Sequence, residues 1–246
     1  MPDTAETPAC FASLPSELRN EIYELILLHE EPLHPLIAFD CFRPRKGLTP
    51  GLLRVSKAVH REASSLFYGN NHFNLSYGLP RQAIFFLKRI GSNAAYIRHL
   101  AITFPDFFCL DPGDVTLDKD SVSVLATIKR RCTNLNSLTT ALYWTTNIDH
   151  RIDWPDSHKI ADEPLELVDA HFRAITSLQE INLAVYEHLQ SDQLRQITKC
   201  HGWTISTLQP VEEDRGWRFR DFIDRGDFGD NNYDDYGHND LDDYGK

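Results

Sequence analysis

Leu135-Asn136-Ser137-Leu138-Thr139-Thr140-Ala141-Leu142 and Leu178-Gln179-Glu180-Ile181-Asn182-Leu183-Ala184-Val185 are built on one plan. Each opens with a leucine, two polar residues and a second aliphatic residue, then runs on as a short apolar strand. A helical stripe precedes each of them: Val122, Leu125, Ile128 and Cys132 before the first, Leu165, Val168, Phe172 and Ile175 before the second. Upstream, Ile84, Leu87 and Ile90 give a helix ahead of Gly91, and Ile97, Leu100, Ile102 and Phe104 give the strand after it. Downstream, Leu194 and Ile197 precede Trp203-Thr204-Ile205-Ser206-Thr207-Leu208 in a shorter unit. Strands separated by single helices predict a parallel sheet, because a right-handed crossover returns each strand beside the last. The units differ in length, so the expectation is a short, irregular stack rather than a regular horseshoe.

The chain before residue 77 has a different pattern. Leu14, Leu18, Ile22 and Ile26 recur every four residues, with Leu25 widening the stripe, which predicts an amphipathic helix ending near His29. Ser13 is its expected cap, Pro15 fits its first turn, and Glu17 and Glu21 complement the positive end of its dipole. After a loop with Pro32, Pro35, Pro44 and Pro50, a second helix is read from Leu52, Val55, Val59, Ala63 and Leu66, with Gly69 as its C-cap. Arg54, Lys57 and Arg61 lie on its opposite face, and His72-Phe73-Asn74-Leu75 alternates as a strand would.

Two blocks carry a family resemblance: Phe11-Ala12-Ser13-Leu14-Pro15-Ser16-Glu17-Leu18-Arg19-Asn20-Glu21-Ile22-Tyr23, and Leu52-Leu53-Arg54-Val55-Ser56-Lys57 with Glu62-Ala63-Ser64-Ser65-Leu66-Phe67-Tyr68-Gly69-Asn70-Asn71. Residues 11 to 76 resemble the F-box-like proteins abundant in filamentous fungi. The resemblance implies a helical module that docks, through its Leu-Pro start and first helix, on the adaptor subunit of cullin-RING ubiquitin ligases. Leu14, Pro15, Leu18, Ile22 and Leu25 are the positions it marks for adaptor binding. The chain departs from the better-studied pattern in a Pro-rich insert from Glu30 to Gly51, and His60 and Arg61 stand where a tryptophan is usual. The alternative is that the same leucines pack the two helices against the rest of the chain. The helix-strand units that follow resemble those of F-box proteins carrying leucine-rich repeats.

Charge limits the partners. The formal net charge is −11, and the stretch from Asp221 onward contributes −7 of it through nine acidic residues against Arg225 and Lys246. Without a broad basic surface, nucleic-acid binding is not expected. The tail mixes Asp, Asn, Gly and Tyr, cannot build a core and is expected to be disordered. No run of about 18 apolar residues suggests a membrane span, and Met1 to Pro8 lacks the apolar segment of a signal peptide, so a cytoplasmic or nuclear site is expected. Cys10, Cys41, Cys109, Cys132 and Cys200 are scattered and read as buried thiols.

The motifs of chemistry are missing. The eleven histidines include no pair at metal-ligand spacing on one helix face, and there is no G-x-S-x-G elbow, phosphate-binding loop or G-x-G-x-x-G turn. Asp153 and Asp156 read as solvated loop acids. No catalytic residue, metal or cofactor is expected. Phe107, Phe108, Tyr143, Trp144, Trp154 and Tyr186 fall near the strand ends and are the candidate target-binding residues, since buried aromatic anchors often dominate interfaces. Packing of the loop Asp149 to Pro164 on the sheet is the other reading of them. The organisation expected is an N-terminal stretch 1–10, an F-box-like module 11–76, an α/β repeat-like domain 77–211 and an acidic tail 212–246. The function expected is a substrate-recruiting ligase adaptor, or else a ligase-independent interaction scaffold.

Overall fold

The computed structural model describes residues 11–36, 50–111, 113–142, 157–185, 195 and 198–207, and the acidic tail lies outside them. Five α-helices are described: α1 Ser16–Leu27, α2 Lys57–Asn70, α3 Pro80–Arg89, α4 Lys119–Arg131 and α5 Ser157–Arg173. Five strands, β1 His72–Asn74, β2 His99–Thr103, β5 Ser137–Leu142, β6 Glu180–Val185 and β7 Thr204–Thr207, form one parallel sheet in the order β1-β2-β5-β6-β7. Two more, β3 Phe107–Asp111 and β4 Asp114–Leu117, pair as an antiparallel hairpin. The expected parallel sheet is present, and its strands step across it in chain order without reversal.

That order has a physical consequence. Right-handed crossovers that always advance in one direction keep their helices on one face of the sheet. The burial pattern agrees: Phe73, Leu100, Ile102, Leu138, Leu142, Ile181, Leu183 and Val185 are buried on the side that meets α3, α4 and α5. From α4 and α5 the core takes Leu125, Ile128, Leu165, Val168 and Phe172, as their spacing predicted, whereas Val122 is 39% exposed. Asp118 caps α4 by accepting from the Asp120 and Ser121 amides. Pro164, placed by the sequence in a loop, lies inside α5.

The N-terminal helices share this core. β1 pairs with β2, and Leu33 adds to the outer edge of β1 by donating to the His72 carbonyl at 2.7 Å and accepting from the Asn74 amide at 2.7 Å. Such cover removes an open sheet edge. Phe67, Tyr68, Phe73 and Phe86 join α2, β1 and α3 with ring centroids 5.0 to 6.0 Å apart. Asn71 is fully buried and fastens α1 to α2: its side-chain amide donates to the Leu27 and Phe67 carbonyls at 2.8 and 2.9 Å, and its oxygen accepts from the His29 amide at 2.9 Å. One side chain thus serves the carbonyl ends of both helices, which have no partner within the helix.

Several local expectations are corrected. Ser13 lies in a 3-10 turn before α1 and Pro15 occupies the N-cap position, so the proline precedes the first turn instead of entering it. The second helix starts after Ser56, whose hydroxyl accepts from the Val59 amide, and Val55 before it is 70% exposed. Gly69 is not a C-cap. It lies within α2, where a Cβ would stand 3.5 Å from the Tyr96 carbonyl oxygen, and the helix ends at Asn71 in extended backbone. Of the thiols, Cys132 is buried, and burial pushes it up to about 12, but Cys109 is half-buried and Cys200 exposed. Cys10 and Cys41 lie outside the described residues. Among the described residues no helix is long and apolar enough to cross a membrane.

Candidate functional site

The helix α1 has two apolar faces, and among the described residues one of them is packed. Residues spaced by four, Arg19, Tyr23 and Leu27, turn toward α2, with Tyr23 and Leu27 fully buried. The Arg19 guanidinium donates to both carboxylate oxygens of Glu62 at 3.0 and 2.9 Å and to the Leu14 carbonyl, and the Tyr23 hydroxyl donates to Glu62 at 3.0 Å. The hydrogen bond from Arg19, then that from Tyr23, holds the Glu62 carboxyl below its ordinary range. Tyr23, desolvated and beside this carboxylate, is shifted up.

The other face is the stripe marked by the sequence. Leu18 is 45% and Leu25 81% exposed, Pro15 is exposed, and Leu14 and Ile22 are half-buried at its sides. All five are brought onto one side of α1 and its entry, about 140° round the helix from the packed face at 100° per residue. Glu17, Glu21 and Glu24 are exposed along its flank. Tyr23 and Leu27 carry the packing of α1 into the core, while Leu14 and Ile22 are half-buried and Leu18 and Leu25 exposed.

The aromatic candidates divide. Phe107 is buried on β3 with its ring 6.4 Å from that of Phe104, so it is a core residue and not a surface anchor. Phe108, next in the strand, points the other way and is 84% exposed. The pair belongs to a hairpin rather than a loop. Gly113 makes its turn at φ +80, and the Gly113 amide donates to Glu163 on α5 at 2.9 Å. Tyr143, Trp144, Trp154 and Tyr186 lie outside the described residues.

The sheet face away from the helices was not singled out by sequence. Register aligns His72, His99, Ser137 and Glu180 in one row across four strands, and Asn74, Ala101, Thr139, Asn182 and Thr204 in the next. All of them are half-buried or exposed. The His72 and His99 rings stack at 4.4 Å, His99 Nδ1 is 2.8 Å from the Ser137 hydroxyl, and Asn182 donates to Ser206 at 2.8 Å. Burial, then the neighbouring His72, lowers the His99 pKa. The signal was present in the opening stretches, whose alternate positions Ser137, Thr139, Glu180 and Asn182 are polar. Hydrogen-bonding side chains in rows on an open sheet can hold a polypeptide surface, and among the described residues no three His, Cys, Asp or Glu side chains gather to hold a metal ion.

No protein family, curated protein or solved structure matches the chain.

Proposed function

We propose that this chain is a recruiting adaptor: the outer stripe of α1 docks on the adaptor subunit of a cullin-RING ligase, and the α/β portion presents a target. The observation that carries this reading is the exposure of Leu18 and Leu25 on a helix already anchored by its other face. Exposed leucines in line with a Leu-Pro entry are what the F-box-like resemblance of residues 11 to 76 calls for, and a large apolar stripe left in water otherwise costs solubility. The sheet with its one-directional strand order is what a short leucine-rich-repeat-like stack would supply. Its polar rows and the Phe108 tip are then the surfaces for the target.

The test is a pull-down of the purified full chain on the purified adaptor subunit, with a Leu18→Asp, Leu25→Asp double variant as comparison. Both residues lie outside the core, so the variant keeps its circular dichroism spectrum. Binding by the wild type and its loss in the folded variant support the reading. No binding by the wild type rejects ligase docking and leaves the scaffold alternative.

A further inference from the structure

We infer that the end of the sheet where the strands begin is a docking surface for an acidic polypeptide segment. This goes beyond the adaptor reading and does not use the α1 stripe. Lys88 and Arg89 close α3, and Lys129, Arg130 and Arg131 close α4. Arg98 stands just before β2. These six cations share one edge. α3 packs along α4, the Asn134 side chain donates to the Ala95 carbonyl at 2.8 Å, and the Asn136 amide donates to the Arg98 carbonyl at 2.8 Å. The loops that follow the two helices are therefore in contact, and the two helix ends stand about 10 Å apart.

Helix dipoles account for part of this arrangement, since cations are stabilising at helix carboxyl ends. They do not account for Arg98, which precedes a strand. Nor do they account for the absence of partners. Among the described residues none of Lys88, Arg98, Lys129, Arg130 or Arg131 forms an ion pair, in a chain with 36 acidic against 25 basic residues. Acids on this side, Asp169 and Glu180, stand on α5 and β6, and Asp169 is held by Arg173 and Trp203. Arg131 Nε is buried with no hydrogen-bond partner among the described residues. Asp106, Asp111, Asp114, Asp118 and Asp120 fall toward the opposite end, where the strands finish, together with Lys119 and with Arg81, which pairs with Asp120.

The size of the surface selects the partner. Two helix ends and one strand start match an extended acidic segment of about five residues at roughly 3.3 Å each. A nucleic-acid duplex presents its charges over a full turn of about 34 Å and would meet the net negative charge of the chain beyond the rim.

The experiment is fluorescence anisotropy of a labelled twelve-residue Asp/Glu-rich peptide with the full chain at low salt. A peptide with Asn and Gln in place of the acids, and a single-stranded oligonucleotide of equal charge, are compared. The acidic peptide is expected to bind and the neutral one not. A Lys129→Glu, Arg130→Glu variant, altered at two exposed sites, is expected to weaken binding about tenfold, since two attractions become repulsions. The Leu18→Asp, Leu25→Asp variant is expected to bind the peptide as the wild type does, which separates this surface from the ligase reading. Failure of the wild type to bind, equal binding by the charge-reversed variant, or preference for the oligonucleotide overturns the inference.

Discussion

Truncating Leu18 and Leu25 to alanine separates docking from folding. Covering a whole leucine side chain is worth about 1.5 to 3 kcal/mol. Leu25 has 81% and Leu18 45% of its surface left to cover. A partner that covers both gains roughly 2 to 4 kcal/mol, and since alanine keeps its Cβ the expected loss is about 2 kcal/mol, close to 30-fold in Kd. The same double variant is expected to unfold in urea within about 0.5 kcal/mol of the wild type, as substitutions at exposed sites usually do. Leu27→Ala provides the contrast. That side chain is fully buried two residues beyond Leu25, on the packed face, and its loss costs about 2 to 5 kcal/mol of stability. The assay is titration calorimetry against the ligase adaptor subunit, with urea unfolding of all three chains in parallel. An affinity unchanged within about threefold in the Leu18→Ala, Leu25→Ala chain, set against the 30-fold expected from the area, would refute docking through this stripe.

Asn71→Ala leaves the Leu27 and Phe67 carbonyls without their donor and is expected to destabilise the fold by about 3 kcal/mol, read by urea unfolding. Thr140 is fully buried in the middle of β5 with no hydrogen-bond partner for its hydroxyl among the described residues, so Thr140→Val is expected to raise stability by about 1 kcal/mol in the same assay. A decrease there would mean that the hydroxyl has a partner. The pH dependence follows from His99, whose folded pKa lies below its ordinary value because of burial and then His72. The unfolded chain therefore takes up the proton first, and stability present above the ordinary histidine range falls as pH drops through it. Against wild type, His99→Gln is expected to lose less stability between pH 7.5 and 5, measured by thermal melts at each pH; equal losses would contradict the assignment.

The helix-strand alternation was legible because its spacing is unambiguous: Leu165, Val168, Phe172 and Ile175 all reach the core, and β5 and β6 pair along their whole length in register. The hairpin β3–β4 was not, although Asp111-Pro112-Gly113-Asp114 carries a turn signal. The unbroken run Phe107 to Leu110 hides its alternation, because Phe108, at an outward position, is as apolar as its inward neighbours. The same difficulty left open which face of α1 packs. Periodicity assumes that the more aliphatic stripe is the buried one, and by that measure Leu14, Leu18, Ile22 and Leu25 outrank a face containing arginine and tyrosine. The structure buries the second face because Glu62 on α2 accepts hydrogen bonds from both Arg19 and Tyr23, so their polar ends stay satisfied while Tyr23 and Leu27 fill the core. A partner for an amphipathic side chain lies 43 residues away in sequence and is invisible to any local window. The exposed stripe thus follows from that choice: once the polar-tipped face is satisfied by α2, Leu18 and Leu25 are left exposed on the other side of the helix.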